Sequence, residues 1–273
     1  MSDTVPGAVT GIPGVLARTS TARLIGRDLA ANLLVILLLV FGMQMWSEVA
    51  PDYIMPAPAA TLGAAWKILT ANGADILITL ARLLAAVAFA LVVGCLLGAV
   101  MALVRPLTPY LRSLIVINTG IPALSWMLFA VFWFKNPEAR IFFILAMILI
   151  PFYALSMYDA IKALPTDLIE MVEVFRPSRL HLMRFLVLPH VVPYVLSTTK
   201  AIIGYAARMT VFAELISSNI GMGARMSLAQ NNFHMDQMIA WTVLLVVLNL
   251  LLQAIVAGAE KLLLGWRPEV VVR

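Results

Sequence analysis

Apolar residues run almost unbroken through six stretches of the chain, at 29–46, 80–104, 115–134, 141–158, 188–216 and 238–259. Each is close to the roughly 20 residues that a helix needs to cross the hydrocarbon of a bilayer. None shows the one-sided stripe of a soluble surface helix or the strict alternation of a strand. The pattern predicts an all-α integral membrane protein with six transmembrane helices at 29–259, a 28-residue N-terminal segment and a tail at 260–273.

The polar connections are unequal. Residues 47–79 contain Pro56, Pro58 and Asn72-Gly73, which punctuate loops, around a short predicted helix at 60–70. The link at 105–112 is brief, whereas 159–185 is long and charged. Within it Pro165-Thr166-Asp167 predicts a helix start, with Glu170 and Glu173 early and Arg179 and Arg184 late, as the helix dipole favours. Pro177 then divides this element into two short helices. By surface statistics alone such a segment is a solvated loop; the other reading is a docking surface for a cytoplasmic partner.

Composition agrees with the pattern. With 62% hydrophobic and 12% charged residues and a mean hydropathy of +0.97, the chain has too little polar surface to cover a water-soluble globule. The net charge of +5 lies between the apolar runs, where it sets orientation rather than binding nucleic acid. An N-terminus in the cytoplasm places twelve Lys and Arg residues inside, against Lys67, Arg82, Lys135, Arg140 and Arg225 outside, so both termini are expected to be cytoplasmic. Arg18, Arg23 and Arg27 precede the first run without a small-residue cleavage site close behind it, which predicts a retained span rather than a removed signal peptide. The single cysteine, Cys95, reads as a small core residue.

Catalytic signatures are absent. None of Lys67, Lys135, Lys162, Lys200 or Lys261 follows a glycine, so there is no Gly-Lys-Ser/Thr phosphate loop. His181, His190 and His234 are scattered without partners at metal-ligand spacing, and no Gly-x-Ser-x-Gly elbow occurs.

The fifth run carries Lys200, Arg208 and Glu214, each of which costs about 2.5–3.5 kcal/mol at bilayer depth unless it faces protein or water. Lys200 and Arg208 are eight residues apart and share roughly one helix face. Two readings stand. The pair lines a permeation path that favours an anion, or Lys200 snorkels while Arg208 and Glu214 pair with other helices. Trp126, Trp133 and Trp241 read as packing and interfacial residues.

The inner loop and its approach to the fifth run read Glu170-Met171-Val172-Glu173-Val174-Phe175-Arg176-Pro177-Ser178-Arg179, then Leu186-Val187-Leu188-Pro189. This resembles the cytoplasmic signature of binding-protein-dependent ABC importer permeases, Glu-Ala-Ala-x3-Gly-x9-Ile-x-Leu-Pro. Aligned on Pro189, Glu170 falls on the signature glutamate with full spacing; Met171 and Val172 replace the alanines and Arg176 the glycine. Pro56-Ala57-Pro58, Thr79-Leu80-Ala81-Arg82, Ile121-Pro122-Ala123-Leu124-Ser125-Trp126, Phe212-Ala213-Glu214-Leu215, Gly221-Met222-Gly223, Ala229-Gln230 and the tail through Trp266-Arg267 look like the nitrate/sulfonate/taurine branch. The resemblance implies a type I ABC importer permease fold in a bacterial inner (plasma) membrane. It implies partners as well: two ATP-binding cassette subunits that hold the ATP and Mg, a second permease copy or a related permease, and a solute-binding protein. This chain itself would hold no cofactor. It nominates Glu170, Glu173, Arg176, Ser178 and Arg179 for coupling to the ATPase. Lys200, Arg208 and Glu214 are nominated for the path, with Asn118, Ser125 and Trp126 beside them. The competing classes are a self-sufficient secondary carrier or channel, which calls for paired broken helices or an intramembrane carboxylate relay, and a scaffold subunit without transport.

Overall fold

The sequence expectation of six spans meets a structure whose described residues form five helices long and apolar enough to cross a membrane, and six spans when the bent pair Thr108–Gly120 and Ala123–Trp133 is counted as one. The computed structural model describes residues 14–174 and 178–265, with side chains from Ala30 onward except those of Thr166, Ile169, Glu173 and Arg179. The five are α1 (Gly14–Ser47), α3 (Gly73–Leu103), α6 (Pro137–Lys162), α9 (Leu188–Ser217) and α11 (Met235–Leu263). Shorter helices lie between them: α2 (Pro58–Ala71), α4 (Thr108–Gly120), α5 (Ala123–Trp133), α7 (Thr166–Glu173), α8 (Arg179–Leu182) and α10 (Met222–Asn231). The described residues form no strand. The chain divides into two compact units, residues 1–60 and 61–273. In the first, α1 is apolar without interruption from Leu33 to Phe41, so every side of the helix suits hydrocarbon.

The expected third span, 115–134, is present as two helices, α4 and α5, which together are apolar enough to cross a membrane and are bent by 94° at the break. Pro122 is the reason: it forces Ile121 into extended backbone (φ −80°, ψ 123°) and cannot donate to continue α4. The helix also begins earlier than the apolar run, at Thr108, whose Oγ1 donates to Met101 O (2.7 Å). Pro151 and Pro193, by contrast, sit inside α6 and α9 without ending them; in a bundle, neighbouring helices can shelter the freed carbonyls.

In lipid there is no hydrophobic force between helices, so close approach through small residues does much of the packing. Along α3 the residues Ala86, Ala90, Gly94, Gly98 and Ala102 recur every fourth position and are all buried. They form one seam along α3, and at Gly94 and Gly98 α6 closes on it. A Cβ added at Gly94 would lie 2.6 Å from Tyr153 Cβ and 2.8 Å from Ile150 O, and one at Gly98 would collide with Ala154 O. Around this seam Leu83, Ile144, Leu145, Leu149, Tyr153, Ile203 and Ala206 make the main core of α3, α6 and α9. A second cluster joins α2 (Ala64, Ala65, Ile68) to Val211, Met222, Ala240 and Trp241.

The entry to α9 contains a π-helical turn, Met183–Val187, in which Leu188 N–H reaches Met183 O. Pro189 explains it. Its missing N–H and its ring disturb the hydrogen bond to residue 185, and a wider turn absorbs the misfit.

We expect Gly94→Leu to cost about 3 kcal/mol or more by overpacking the α3–α6 seam, read as lost thermal stability and aggregation of the detergent-solubilised protein. Gly63→Ala, where nothing lies within 4 Å, is expected to change stability by less than about 0.5 kcal/mol.

Candidate functional site

At the end of the bundle where α3 begins, a buried polar cluster binds three long helices together. Glu214 of α9 is fully buried. Its carboxylate accepts from Arg82 Nη1 (2.7 Å) and from Gly223 N–H (3.0 Å), and Thr79 Oγ1 lies 2.9 Å from both oxygens. Arg82 uses its other edge as a fork on Glu138 of α6, through Nε to Oε2 (2.8 Å) and Nη2 to Oε1. Asp75 accepts from Gly221 N–H (2.8 Å) and Arg225 Nε (2.8 Å). Gly221 has φ +105°, and a Cβ there would press into the Glu214 carboxyl group, so the loop wraps this carboxylate only with glycine at that position. Glu214 thus pairs with a cation of another helix, the arrangement that the second of the two sequence readings describes. Arg82, which the charge count treats only as an external residue, is the hub. Its signal was the Thr79-Leu80-Ala81-Arg82 motif.

The two cations of α9 part company. Lys200 Nζ pairs with Glu260 Oε2 of α11 at 2.7 Å, whereas Arg208 is exposed and makes no ion pair among the described residues. Arg208 continues a row of α9 positions that the chain's own helices leave uncovered: Ser197, Ala201, Arg208, Phe212 and Ile216 are exposed and Tyr205 half-buried, at spacings of three and four. The lower part of this row borders a groove of about 790 Å³ between α6 and α9. Its walls are Phe152, Ser156 and Asp159 on one side and Tyr194, Ser197, Thr198, Ala201, Ile202 and Tyr205 on the other. Across it Thr198 Oγ1 donates to Ser156 Oγ (2.7 Å), which donates to Tyr194 O (3.3 Å), and this sets the hydroxyl orientations.

A smaller cavity of about 110 Å³ adjoins the groove through Phe152 and Tyr205. Asn118 and Trp126, on either side of the α4–α5 break, help to line it. Asn118 Nδ2 donates to Met147 O (2.8 Å), but Asn118 Oδ1 and Trp126 Nε1 are buried without partners. Ser125 is half-buried beside them in sequence but does not line this cavity. The break thus brings Asn118 and Trp126 together, where a continuous span would have separated them by two turns.

Away from the cluster end, α7 lies between α6 and α9 with Glu170 exposed and Leu168, Met171 and Val174 also exposed. Ser178 Oγ accepts from His181 N–H (3.3 Å) and caps α8. Arg176 lies outside the described residues, as do the side chains of Glu173 and Arg179.

Residues 90–263 match the family model described as binding-protein-dependent transport system inner membrane component. The riboflavin transport system permease protein of Chloroflexus aurantiacus is 24% identical over 79% of this chain and 81% of its own length. The taurine transport system permease protein of Escherichia coli is 22% identical over 89% of this chain and 90% of its own. Among solved structures, the inward-facing MetNI methionine ABC transporter superposes with a TM-score of 0.60 over 68% of this chain and 92% of that one, at 19% identity.

Removing one partner of a buried ion pair strands the other charge, at a cost of about 3–5 kcal/mol. Arg82→Met is accordingly expected to destabilise the solubilised protein by that amount, with the double variant Arg82→Met/Glu214→Gln regaining most of it. Thermal unfolding in detergent reads both, and equal melting of Arg82→Met and the unmodified protein would remove the hub from this account.

Proposed function

Because the chain belongs to the family of binding-protein-dependent transport system inner membrane components, we propose that it is the permease subunit of an ATP-driven importer for a small, anionic solute. The family is one of transporter permeases that are not themselves catalytic. The finer reading assigns the chain two tasks, a wall of the translocation path and a surface for coupling to cytoplasmic ATPase subunits. Its partners on this reading are two ATP-binding subunits that carry ATP and Mg, a second permease and a solute-binding protein. The charge bias of the loops puts α7 and both termini in the cytoplasm and the Arg82 cluster outside.

The observation that carries the coupling proposal is the placement of α7. It is a short helix with exposed apolar and acidic residues, joined to α6 by three residues and to α9 through α8 and the π turn. An ATPase groove that grips α7 moves α6 and α9 as stiff levers, the kind of rigid-body motion that interfaces convert into alternating states. Glu170 heads the exposed side, and Glu173, Arg176, Ser178 and Arg179 complete the proposed contact. For the path, the uncovered row on α9 and its groove are the proposed surface. Arg208 supplies the charge that favours an anion, whereas Lys200 is neutralised by Glu260.

Purification of the tagged chain in mild detergent from its native membrane is expected to bring down an ATP-binding subunit in stoichiometric amount; a chain that purifies alone, where other such complexes survive, would favour a self-sufficient carrier. In the assembled complex Glu170→Lys is expected to weaken ATPase retention or to separate ATP hydrolysis from uptake. Arg208→Ala should lower uptake of an anionic solute about tenfold, as loss of one charge-assisted hydrogen bond does, with Lys200→Ala the milder change. Undiminished uptake in Arg208→Ala would refute its path role.

A further inference from the structure

The groove that the proposed path follows has walls whose chemistry a bare anion does not match. Among its nine lining residues none is Lys or Arg. Asp159 is the one ionisable acid, exposed at the groove, and its carboxylate has no hydrogen bond or ion pair among the described residues. The remaining polar groups are hydroxyls: Ser156, Tyr194, Ser197, Thr198 and Tyr205. Two of these are engaged with each other, since Thr198 donates to Ser156 and Ser156 to Tyr194 O, while the hydroxyls of Tyr194, Ser197 and Tyr205 can each donate or accept. In the adjoining cavity Asn118 Oδ1 and Trp126 Nε1 are an acceptor and a donor without partners. The groove walls therefore carry one negative charge and no positive one, with hydroxyls that serve either side of a hydrogen bond.

Resting on the reading of this groove as part of the translocation path, we propose that the solute carries an N–H-bearing amine or amide group as well as an anionic one, and that Asp159 is the residue that selects for it. The anionic group suits Arg208, one turn beyond Tyr205 on the same row of α9. An oxyanion with no donor meets like charge at Asp159 and leaves its carboxylate unmatched. A solute with an ammonium or amide group makes a charge-assisted hydrogen bond there instead. The specificity is a difference between two affinities, built partly by penalising the wrong solute.

The test is uptake by cells that produce the assembled transporter, with matched probes that differ in one group: taurine against ethanesulfonate, and β-alanine against propionate. The amine-bearing member of a pair is expected to show a KM about tenfold lower, and Asp159→Asn to bring the two within about threefold while Vmax for the amine-bearing probe holds. Equal or reversed preference overturns the proposal, as does a preference unchanged in Asp159→Asn or a failure to take up either amine-bearing probe. A separate arm tests the groove itself. In a Cys95→Ala background, Ser197→Cys is labelled with a bulky thiol reagent in the intact complex and labelling is confirmed by mass. Block of uptake keeps the path in the groove, so that a missing amine preference then counts against Asp159 alone. Uptake that survives complete labelling, or an introduced thiol that no reagent reaches, removes the path from this face and the selectivity proposal with it.

Discussion

Everything in this bundle depends on how closely α3 and α6 approach each other. Lipid solvates a leucine on either helix as well as the partner helix does, so apolar area alone does not hold the pair together. What does is the fit of a small-residue seam, Ala86 to Ala102, in which Gly94 and Gly98 take the backbone and Cβ atoms of residues 150–157 into direct contact. The close seam sets the position of Tyr153, whose hydroxyl lies 3.0 Å from Thr199 Oγ1. Since Thr199 spends its own proton on Val195 O, the tyrosine is the donor, and α6 is thereby tied to α9 at the level of the groove. The groove is a consequence of this spacing: α6 and α9 meet at Tyr153 and diverge where Phe152, Ser156 and Asp159 face Ser197 and Ala201.

The buried ionic cluster adds what small residues cannot, which is a unique register. Arg82, Glu138 and Glu214 come from three helices, and each oxygen and nitrogen edge is matched. A slip of α3 by one residue would leave Glu214 as an unpaired charge in the core. In a medium where helices can slide with little loss of dispersion contact, such a penalty specifies one arrangement more sharply than packing does. The glycines at 221 and 223 belong to the same device, because they let the chain fold back over the carboxylate after α9 ends.

Long apolar runs made most of the fold legible from the sequence, since a helix in lipid must satisfy its own backbone and announces itself by length. The short helices α2 and α7 were legible too: α7 from Pro165 before it, and α2 as the helix at 60–70, which the structure starts two residues earlier at Pro58. The bend in the third span was not, because the effect of one proline at 122 on backbone direction is not encoded in hydropathy. Among the candidate residues, Asn118 and Trp126 share a cavity wall because of that bend. The partners of Lys200 and Glu214 are likewise invisible to spacing within one helix. Lys200 meets Glu260 from sixty residues away, and Arg82 meets Glu214 across 132. Intramembrane charges signalled that something must neutralise them, without saying what.

A common thread runs along α9. Its 30 residues span about 45 Å, from the π turn and Pro189 at one end to Glu214 near the other. Between these lie Ser197 and Ala201 on the groove, then Tyr205 and Arg208. Eight residues, about 12 Å of helix, separate Pro189 from Ser197, so a displacement applied through α8 reaches the groove wall with little slack. The far end is held by Arg82 and Gly223 at Glu214, and the groove level by Thr198 on Ser156 and by Tyr153 on Thr199. α9 is therefore attached to its neighbours at two levels, and Arg208 lies on the stretch between them, exposed and held by neither.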